Sequence, residues 1–218
     1  MGVLINPKPS TDNIIQLTMI DGKLGKKPEI RFNKDGSIDR RHPPTNIAGK
    51  SFEVYPFNTK EEIETMIKVF DNRISEAPDD NKRQIACRNK MLFLVGINLG
   101  IRASDLCRLK YSFFMNNDGK FKDFYSLQPK KTKKTKKFVK LYFNQVVKKA
   151  ITDYLEEHPI KDLEEYLFQS RKGESPITEK SLCRIIKDAA ADAKLESNYG
   201  SHSLRKTFGY WVWHNAED

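Results

Sequence analysis

The stretch GINLGIRASDLCRL (residues 96–109) connects two predicted helices. The first is expected to end at Gly100, because glycine adopts the left-handed backbone conformation that follows many helices. Arg102 then lies at the entrance of the next helix, near Ser104, where free backbone amides also attract anions. Asp105, three residues on, is placed to hold or orient the guanidinium. Taken alone, this pair is more typical of a surface ion pair.

Helical periodicity dominates the chain from residue 51 onward. Thr59 and Glu62 have the spacing of a capping box, and the apolar residues that follow recur at 3.6-residue intervals. The fold class is therefore predicted as mixed α/β (α+β) and mostly helical, with a small antiparallel sheet. Further helices are predicted over about residues 82–98, from Asn144 to about Glu157, from Thr178 to about Lys194, and at the C-terminal end.

A segment of alternating apolar residues, FYSLQPKKTKKTKKFVKLYF (residues 124–143), interrupts the helices. The alternation predicts two paired strands, and seven lysines lie between Lys130 and Lys140. We call this segment the lysine hairpin. A lysine run is most often a solvated turn. On a hairpin, however, the ammonium groups are also positioned to contact phosphates, and a lysine whose pKa is lowered by neighbouring cations can donate a proton.

The first 50 residues differ from the rest. Two short predicted strands, NIIQLTMI and EIRF, accompany turns at Asp21-Gly22 and Asp35-Gly36, and RRHPPTNIAGK is typical of a linker. We therefore expect two units: a basic, β-rich N-terminal arm over residues 1–50 and a larger, helix-rich domain over residues 51–218.

The charge of the chain points to a polyanionic partner. Its formal net charge is +10, its sequence pI is about 9.4, and 31% of its residues are charged. Nucleic acid is the first candidate, because binding to phosphates releases condensed counterions. No membrane partner is expected, since the longest nearly apolar run, MLFLVGINLGI (residues 91–101), is too short to span a bilayer.

The cysteines indicate a reducing environment. Cys87, Cys107 and Cys183 are odd in number, widely spaced and set in apolar helical segments. We interpret them as reduced core thiols rather than as metal ligands or a disulfide, and we expect a cytoplasmic protein.

A third group of functional side chains lies in SHSLRKTFGYWVWHNAED (residues 201–218). His202 and Arg205 are one helical turn apart on the same face of a predicted helix, so both can reach one phosphoryl group. Such a pair also arises by chance and is weak evidence alone.

Together, the three groups resemble the tyrosine recombinase (phage integrase) family. LGIRASDLCRL is similar to the first arginine box of that family. The stretch from LFQSRKGESPI to SHSLRKTFG is similar to the approach to its second box and to the box itself. The resemblance covers about residues 52–218 and implies an integrase-type catalytic domain that acts on double-stranded DNA.

The resemblance also implies a mechanism. A tyrosine hydroxyl attacks a phosphodiester and leaves a 3′-phosphotyrosyl bond and a free 5′-hydroxyl, with no metal or nucleotide cofactor. Arg102 and Arg205 would clamp the phosphate oxygens, and His202 would support the developing charge and assist proton transfer. A hairpin lysine would protonate the leaving oxygen; Lys131 is the first choice, with Lys130 and Lys134 as alternatives. The lysines expected to contact DNA are Lys130, Lys133, Lys134, Lys136 and Lys137.

The family's nucleophilic tyrosine lies well beyond its second box, whereas this chain continues only from Lys206 to Asp218 after Arg205. Tyr210 is too close to Arg205 and is expected to pack in the core beside Phe208, Trp211 and Trp213. We therefore expect the chain to stop before its nucleophile, to bind DNA without cleaving it, and to be monomeric. In this family the intact enzymes assemble on DNA, usually by exchanging the C-terminal segment.

Two other functions fit the same residues. One is a non-catalytic nucleic-acid-binding module that holds phosphates with its lysine hairpin, and the other is a regulatory paralogue that occupies recombination sites. Convergence of Arg102, Arg205 and His202 on one anion would favour the recombinase. Dispersed positions would favour the binding module.

Overall fold

The structure, a computed structural model, describes residues 53–130, 138–171 and 173–215. The predicted N-terminal arm lies outside these residues, and so does the centre of the lysine hairpin, including Lys131, Lys133, Lys134, Lys136 and Lys137. The described part is mostly helical. Its helices are α1 (Lys60–Ser75), α2 (Asp80–Leu99), α3 (Ala103–Leu106), α4 (Tyr111–Phe114), α5 (Gln145–Glu157), α6 (Glu179–Asp192) and α7 (Ser201–His214).

Two small antiparallel sheets complete the fold and confirm the predicted class. β1 (Phe124–Leu127) pairs with β2 (Val139–Tyr142), and β3 (Gln169–Ser170) pairs with β4 (Gly173–Pro176). The strands predicted for the lysine hairpin are therefore confirmed. The hairpin does not bury all of its apolar side chains. Phe124 and Phe138 are 45% and 62% exposed, whereas Leu141 is buried.

The helix starts follow the predicted local signals. Thr59 Oγ1 accepts a hydrogen bond from the Glu62 amide at 3.1 Å, and Glu62 Oε2 accepts one from the Thr59 amide at 3.4 Å, which completes the capping box before α1. Asn144 and Thr178 cap α5 and α6 through their side-chain oxygens. These bonds satisfy amides that the first helical turn leaves without partners.

Helix α2 is the central helix of the domain and packs against α1, α5 and α7. Its C-terminal half is buried nearly all round, as expected for a helix with other elements on several sides. Its first turn carries Asp80 and Lys82, which are exposed, and Arg83, which is half-buried. Among the described helices, none combines the length and the apolar composition needed to cross a membrane.

Two glycines allow α7 to approach the end of α2 closely. A Cβ atom at Gly96 would lie 2.6 Å from Leu204 Cδ1, and a Cβ atom at Gly100 would overlap the Phe208 ring. Gly100 also has φ +60°, which confirms the predicted left-handed helix end. The backbone freedom of glycine and its missing side chain are therefore both needed at this position.

Polar bonds to Phe57 hold α7 in the same place. Thr207 is fully buried; its Oγ1 accepts a hydrogen bond from the Phe57 amide at 2.8 Å and donates one to the Ser203 carbonyl at 2.8 Å. Trp211 Nε1 donates to the Phe57 carbonyl at 3.0 Å. The segment that precedes α1 is thus bonded to α7 through both backbone polar groups of one residue.

The cysteines are free thiols, as expected, but only one belongs to the core. Cys107 is buried, and burial raises the pKa of its thiol to about 12. Cys87 and Cys183 are half-buried, so the prediction that all three are core residues is wrong for these two. Helical context alone did not distinguish a core position from one at the edge of a helix–helix contact.

Substitution of Gly100 by alanine tests the contact between α2 and α7. Gly119→Ala is the matched control, because Gly119 has φ +78° but a Cβ atom there would have nothing within 4 Å. We expect Gly119→Ala to lower the free energy of unfolding by about 1–2 kcal/mol, the backbone cost alone. Gly100→Ala should cost about 1–3 kcal/mol more, because the Phe208 ring must also move. Urea denaturation measures the free energy of unfolding of both variants. Equal losses of this free energy would contradict a steric role for the Phe208 ring.

Candidate active site

A cavity of about 480 Å³ lies where the end of α2, the start of α3, the lysine hairpin and α7 meet. We call it the arginine cavity, because Arg102 and Arg205 both line it. The two arginines are 103 residues apart in sequence, and the close packing of α7 on α2 brings them together. The other polar or aromatic residues in its lining are Asn98, Asp105, Phe138, Lys140, Tyr142 and Phe208.

The guanidinium groups of Arg102 and Arg205 remain available for a ligand. Arg102 is half-buried at the N-cap position of α3, and Arg205 is exposed on α7. Within the part of the chain that the structure describes, neither side chain has a hydrogen bond or an ion pair. Two planar donor groups without internal partners can each offer paired N–H groups to the oxygens of a phosphate.

Asp105 contacts the lysine hairpin rather than a guanidinium. It is 5% exposed, and its Oδ1 accepts a hydrogen bond from the Lys130 backbone amide at 2.9 Å. Among the described residues, this amide is the hydrogen-bond partner of the carboxylate. The bond connects α3, whose N-cap residue is Arg102, to the segment of the hairpin that follows β1, so Asp105 holds two walls of the arginine cavity together.

His202 lies outside the lining of the arginine cavity. It is exposed in the first turn of α7, and its ring has no hydrogen bond among the described residues. Ser203, Leu204 and Thr207 occupy the buried face of this helix, so His202 and Arg205 both lie on its exposed side. The structure therefore brings the two arginines to one cavity and leaves the imidazole on the adjacent surface.

One lysine that sequence reasoning did not select lines the cavity. Lys140 lies on β2 opposite Ser126, and its Nζ is 5.4 Å from the centroid of the Phe124 ring. Lys130, an alternative in the sequence analysis, is exposed and contributes its amide to Asp105. Its neighbours Val139, Leu141 and Tyr142 line the cavity too, so strand alternation alone does not select Lys140.

Asn98 is a second lining residue that sequence reasoning missed. It is 1% exposed; its Nδ2 donates to the Leu94 carbonyl at 2.9 Å, and its Oδ1 accepts from Asn144 Nδ2 at 2.8 Å. Asn144 in turn caps α5 through the Val147 amide. The available signal was a polar residue inside the apolar run of residues 91–101, since a buried amide requires partners.

Tyr210 does not line the arginine cavity. It is half-buried, and its ring packs edge-on against Trp211 and 4.2 Å from the His214 ring centroid. The prediction that it lies in the core is therefore wrong. Phe208 lies against Gly100 and forms part of the cavity wall. The tyrosine among the described lining residues is Tyr142.

The charges of the arginine cavity suit an anion. Arg102, Arg205 and Lys140 face one carboxylate, that of Asp105, which already accepts a hydrogen bond. These cations can together offset the negative charge of a phosphate.

A family model described as the phage integrase family matches residues 57–218, a span that includes the whole arginine cavity. The chain belongs to the phage integrase family. It is 36% identical over 133 residues to the probable integrase/recombinase YoeC of Bacillus subtilis (strain 168), a match that covers 60% of this chain and 66% of YoeC. The family resemblance read from the sequence is confirmed.

Solved structures of recombinases share the fold of this integrase-family chain. The XerH site-specific recombinase bound to difH substrate in a pre-cleavage complex has a TM-score of 0.54 at 21% identity, covering 86% of this chain and 50% of XerH. The XerA recombinase has a TM-score of 0.52 at 20% identity, covering 77% of this chain and 53% of XerA. The chain therefore spans about half the length of these recombinases and just under two thirds of YoeC.

The bond between Asp105 and Lys130 predicts a change in local opening of the hairpin. Asp105→Ala removes the acceptor of the Lys130 amide, and we expect tryptic cleavage after Lys130 to become about tenfold faster, since a hydrogen bond to a charged group contributes about 1.5–3 kcal/mol. Limited proteolysis followed by mass spectrometry measures this rate. Asp118→Ala is the control, because Asp118 also accepts a backbone amide bond, from Lys120 at 3.1 Å, but lies outside the cavity. An unchanged cleavage rate in Asp105→Ala would contradict the role of this bond.

Proposed function

We propose that this chain carries the phosphate-binding part of a site-specific DNA recombinase active site and binds double-stranded DNA. The observation that carries the proposal is the pair of guanidinium groups, Arg102 and Arg205, which line one cavity and have no partner among the described residues. The net charge of +10 supports a nucleic-acid partner. XerH, which shares the fold, is bound to its difH substrate, and this complex supports DNA as the ligand here.

The proposed chemistry is transfer of a DNA strand to a tyrosine. The tyrosine oxygen forms a bond to phosphorus, and the bond from phosphorus to the 5′-oxygen breaks. Arg102 and Arg205 bind the non-bridging oxygens and stabilise the negative charge that grows in the transition state. His202 takes part in proton transfer with the tyrosine. Because His202 lies on the exposed side of α7, it contacts the phosphate only when DNA covers that side.

A lysine of the hairpin protonates the leaving 5′-oxygen in this proposal. Lys131 remains the first choice, and Lys130 and Lys134 remain alternatives. Lys140 joins them, because it lines the arginine cavity. The lysines proposed to contact the DNA backbone are Lys130, Lys133, Lys134, Lys136 and Lys137. The covalent phosphotyrosyl ester conserves the bond energy for rejoining, so the reaction needs no nucleotide.

The 218-residue chain is proposed to bind DNA as a monomer without cleaving it. Tyr210, which follows the His-x-x-Arg pair, packs against Trp211 and His214 instead of lining the cavity. Covalent catalysis requires a nucleophile within reach of the phosphorus atom. Tyr142 lines the cavity, but it precedes the His-x-x-Arg pair, whereas the nucleophile of the family follows that pair, so Tyr142 is proposed as a lining residue only. Residues 51–218 are proposed to form the unit that binds the phosphate, with residues 1–50 as a separate arm.

One observation favours a second candidate, a non-catalytic DNA-binding module. His202 is exposed and outside the cavity lining, so the three side chains do not all converge in the structure. A binding module needs the cations of the cavity and of the lysine hairpin but not the imidazole. The two candidates therefore differ in whether the imidazole of His202 has a role: the recombinase needs it for proton transfer, and the binding module does not.

Substitution of the two arginines tests the cavity as a phosphate site. We expect Arg102→Ala and Arg205→Ala each to weaken binding to a DNA duplex and to lower the slope of log K against log salt by about one, because each removes one phosphate contact. Arg108→Ala is the control, since Arg108 is exposed and outside the cavity lining. Fluorescence anisotropy at several salt concentrations gives the slopes. Equal slopes in all variants would contradict the proposal that the cavity contacts DNA.

In an enzyme of this family that cleaves, loss of the guanidinium at the position of Arg205 should raise the barrier by about 2–4 kcal/mol, as loss of an oxyanion donor does. For the chain itself, a nicked duplex that traps covalent intermediates should be shifted in a native gel but should yield no adduct that survives denaturation. An adduct would contradict the proposal that the chain binds DNA without cleaving it. The variants Tyr142→Phe and Tyr210→Phe would then identify the tyrosine involved.

A further inference from the structure

A second cluster of reactive side chains lies where the end of α5 meets α2. The Cys87 sulfur, a carboxylate oxygen of Glu157 and a ring nitrogen of His158 all lie within 4.8 Å of one another. We call this group the Cys87 cluster. Cys87 is twelve residues before Leu99 on α2, or about 18 Å along the helix axis. The cluster is therefore separate from the arginine cavity, and the proposed recombinase chemistry does not use it.

The imidazole of His158 has unused bonding capacity. His158 ends α5 as its C-cap residue, and its ring packs near Tyr154, with 5.1 Å between the ring centroids. Its Nε2 atom is shielded from solvent and has no hydrogen-bond partner among the described residues. A buried polar atom without a partner is unfavourable, because it has lost its bonds to water and gained none. A metal ion bound at Nε2 would remove this cost.

We propose that Cys87, Glu157 and His158 bind one divalent transition-metal ion, with Zn²⁺ as the best match. Thiolate, imidazole and carboxylate are the three ligand types that proteins use for zinc, and a water molecule can take the fourth tetrahedral position. Mg²⁺ and Ca²⁺ prefer sites made entirely of oxygen ligands. Zinc–ligand bonds of about 2.0–2.3 Å place ligand atoms about 3.5 Å apart. Ligand atoms that lie within 4.8 Å of one another therefore need to approach by no more than about 1.3 Å.

The surroundings of Glu157 are those of a supported metal ligand. Arg83 Nε and Nη2 donate hydrogen bonds to the two carboxylate oxygens, each at 3.0 Å. A carboxylate has about four acceptor sites, so it retains lone pairs for a metal ion. Ligating carboxylates are commonly held by such outer hydrogen bonds, which fix their orientation. The Arg83 contact therefore positions Glu157 without using all of its capacity.

Binding requires Cys87 to lose its thiol proton to solvent as the metal–sulfur bond forms. Burial and, next, the Glu157 carboxylate raise the pKa of this thiol, while Arg83 and Lys90 act in the opposite direction. A bound dication favours the thiolate much more strongly than these side chains do. The resulting site would link α2 to the end of α5 and stabilise the folded chain increasingly as the metal concentration rises.

The experiment uses the full 218-residue chain without a histidine tag. Equilibrium dialysis against Zn²⁺ with elemental analysis should give one ion per chain, and Co²⁺ should give a sulfur-to-cobalt charge-transfer band with the strong visible bands of a tetrahedral site. Zn²⁺ should also raise the melting temperature. Cys87→Ser should abolish the charge-transfer band, and His158→Gln and Glu157→Gln should each lower the affinity by at least about tenfold.

Cys183→Ser is the matched control, because Cys183 is also a half-buried thiol but lies on α6, outside the Cys87 cluster. This variant should bind the ion as the unsubstituted chain does. Melting curves in the presence of a chelator check that each variant folds. If Cys87→Ser does not fold, His158→Gln provides the test. Absence of stoichiometric binding, or binding that survives the Cys87 and His158 substitutions, would overturn the proposal.

Discussion

Phe208 lies so close to the backbone of Gly100 that a Cβ atom there would overlap its ring, and Leu204 approaches Gly96 in the same way. This contact between α7 and the end of α2 determines where the two arginines lie. Arg102 follows Gly100 by two residues, and Arg205 follows Leu204 directly, so the contact brings both guanidinium groups to one cavity. Steric fit between helices therefore creates the cationic site, and the arginines need no partner of their own to hold them there.

Much of the fold could be predicted because its signals are local. The capping box of Thr59 and Glu62, the left-handed Gly100 and the cap at Asn144 each depend on residues within one helical turn. The strands of the lysine hairpin depend on alternation within a few residues of each other. The family resemblance added the choice of arginines, which local patterns alone did not distinguish from surface charges.

What could not be predicted depends on contacts between distant parts of the chain. The partner of Asp105 is an amide 25 residues later, and only the folded hairpin brings it there. Lys140 and Asn98 line the cavity because several elements meet around them. The apolar neighbours of Tyr210 predict a core position, but burial in α7 follows the face occupied by Ser203, Leu204 and Thr207.

The two hydrogen bonds that Phe57 makes to α7 have a mechanical consequence. The amide of Phe57 is bonded to Thr207 and its carbonyl to Trp211, four residues apart along α7. Glu53 and Tyr55 are also bonded to Asn198, which comes just before α7. A load applied at residue 53 would therefore be shared between Asn198 and α7 before it reached α1, so the segment that enters the domain is mechanically coupled to the helix that carries Arg205.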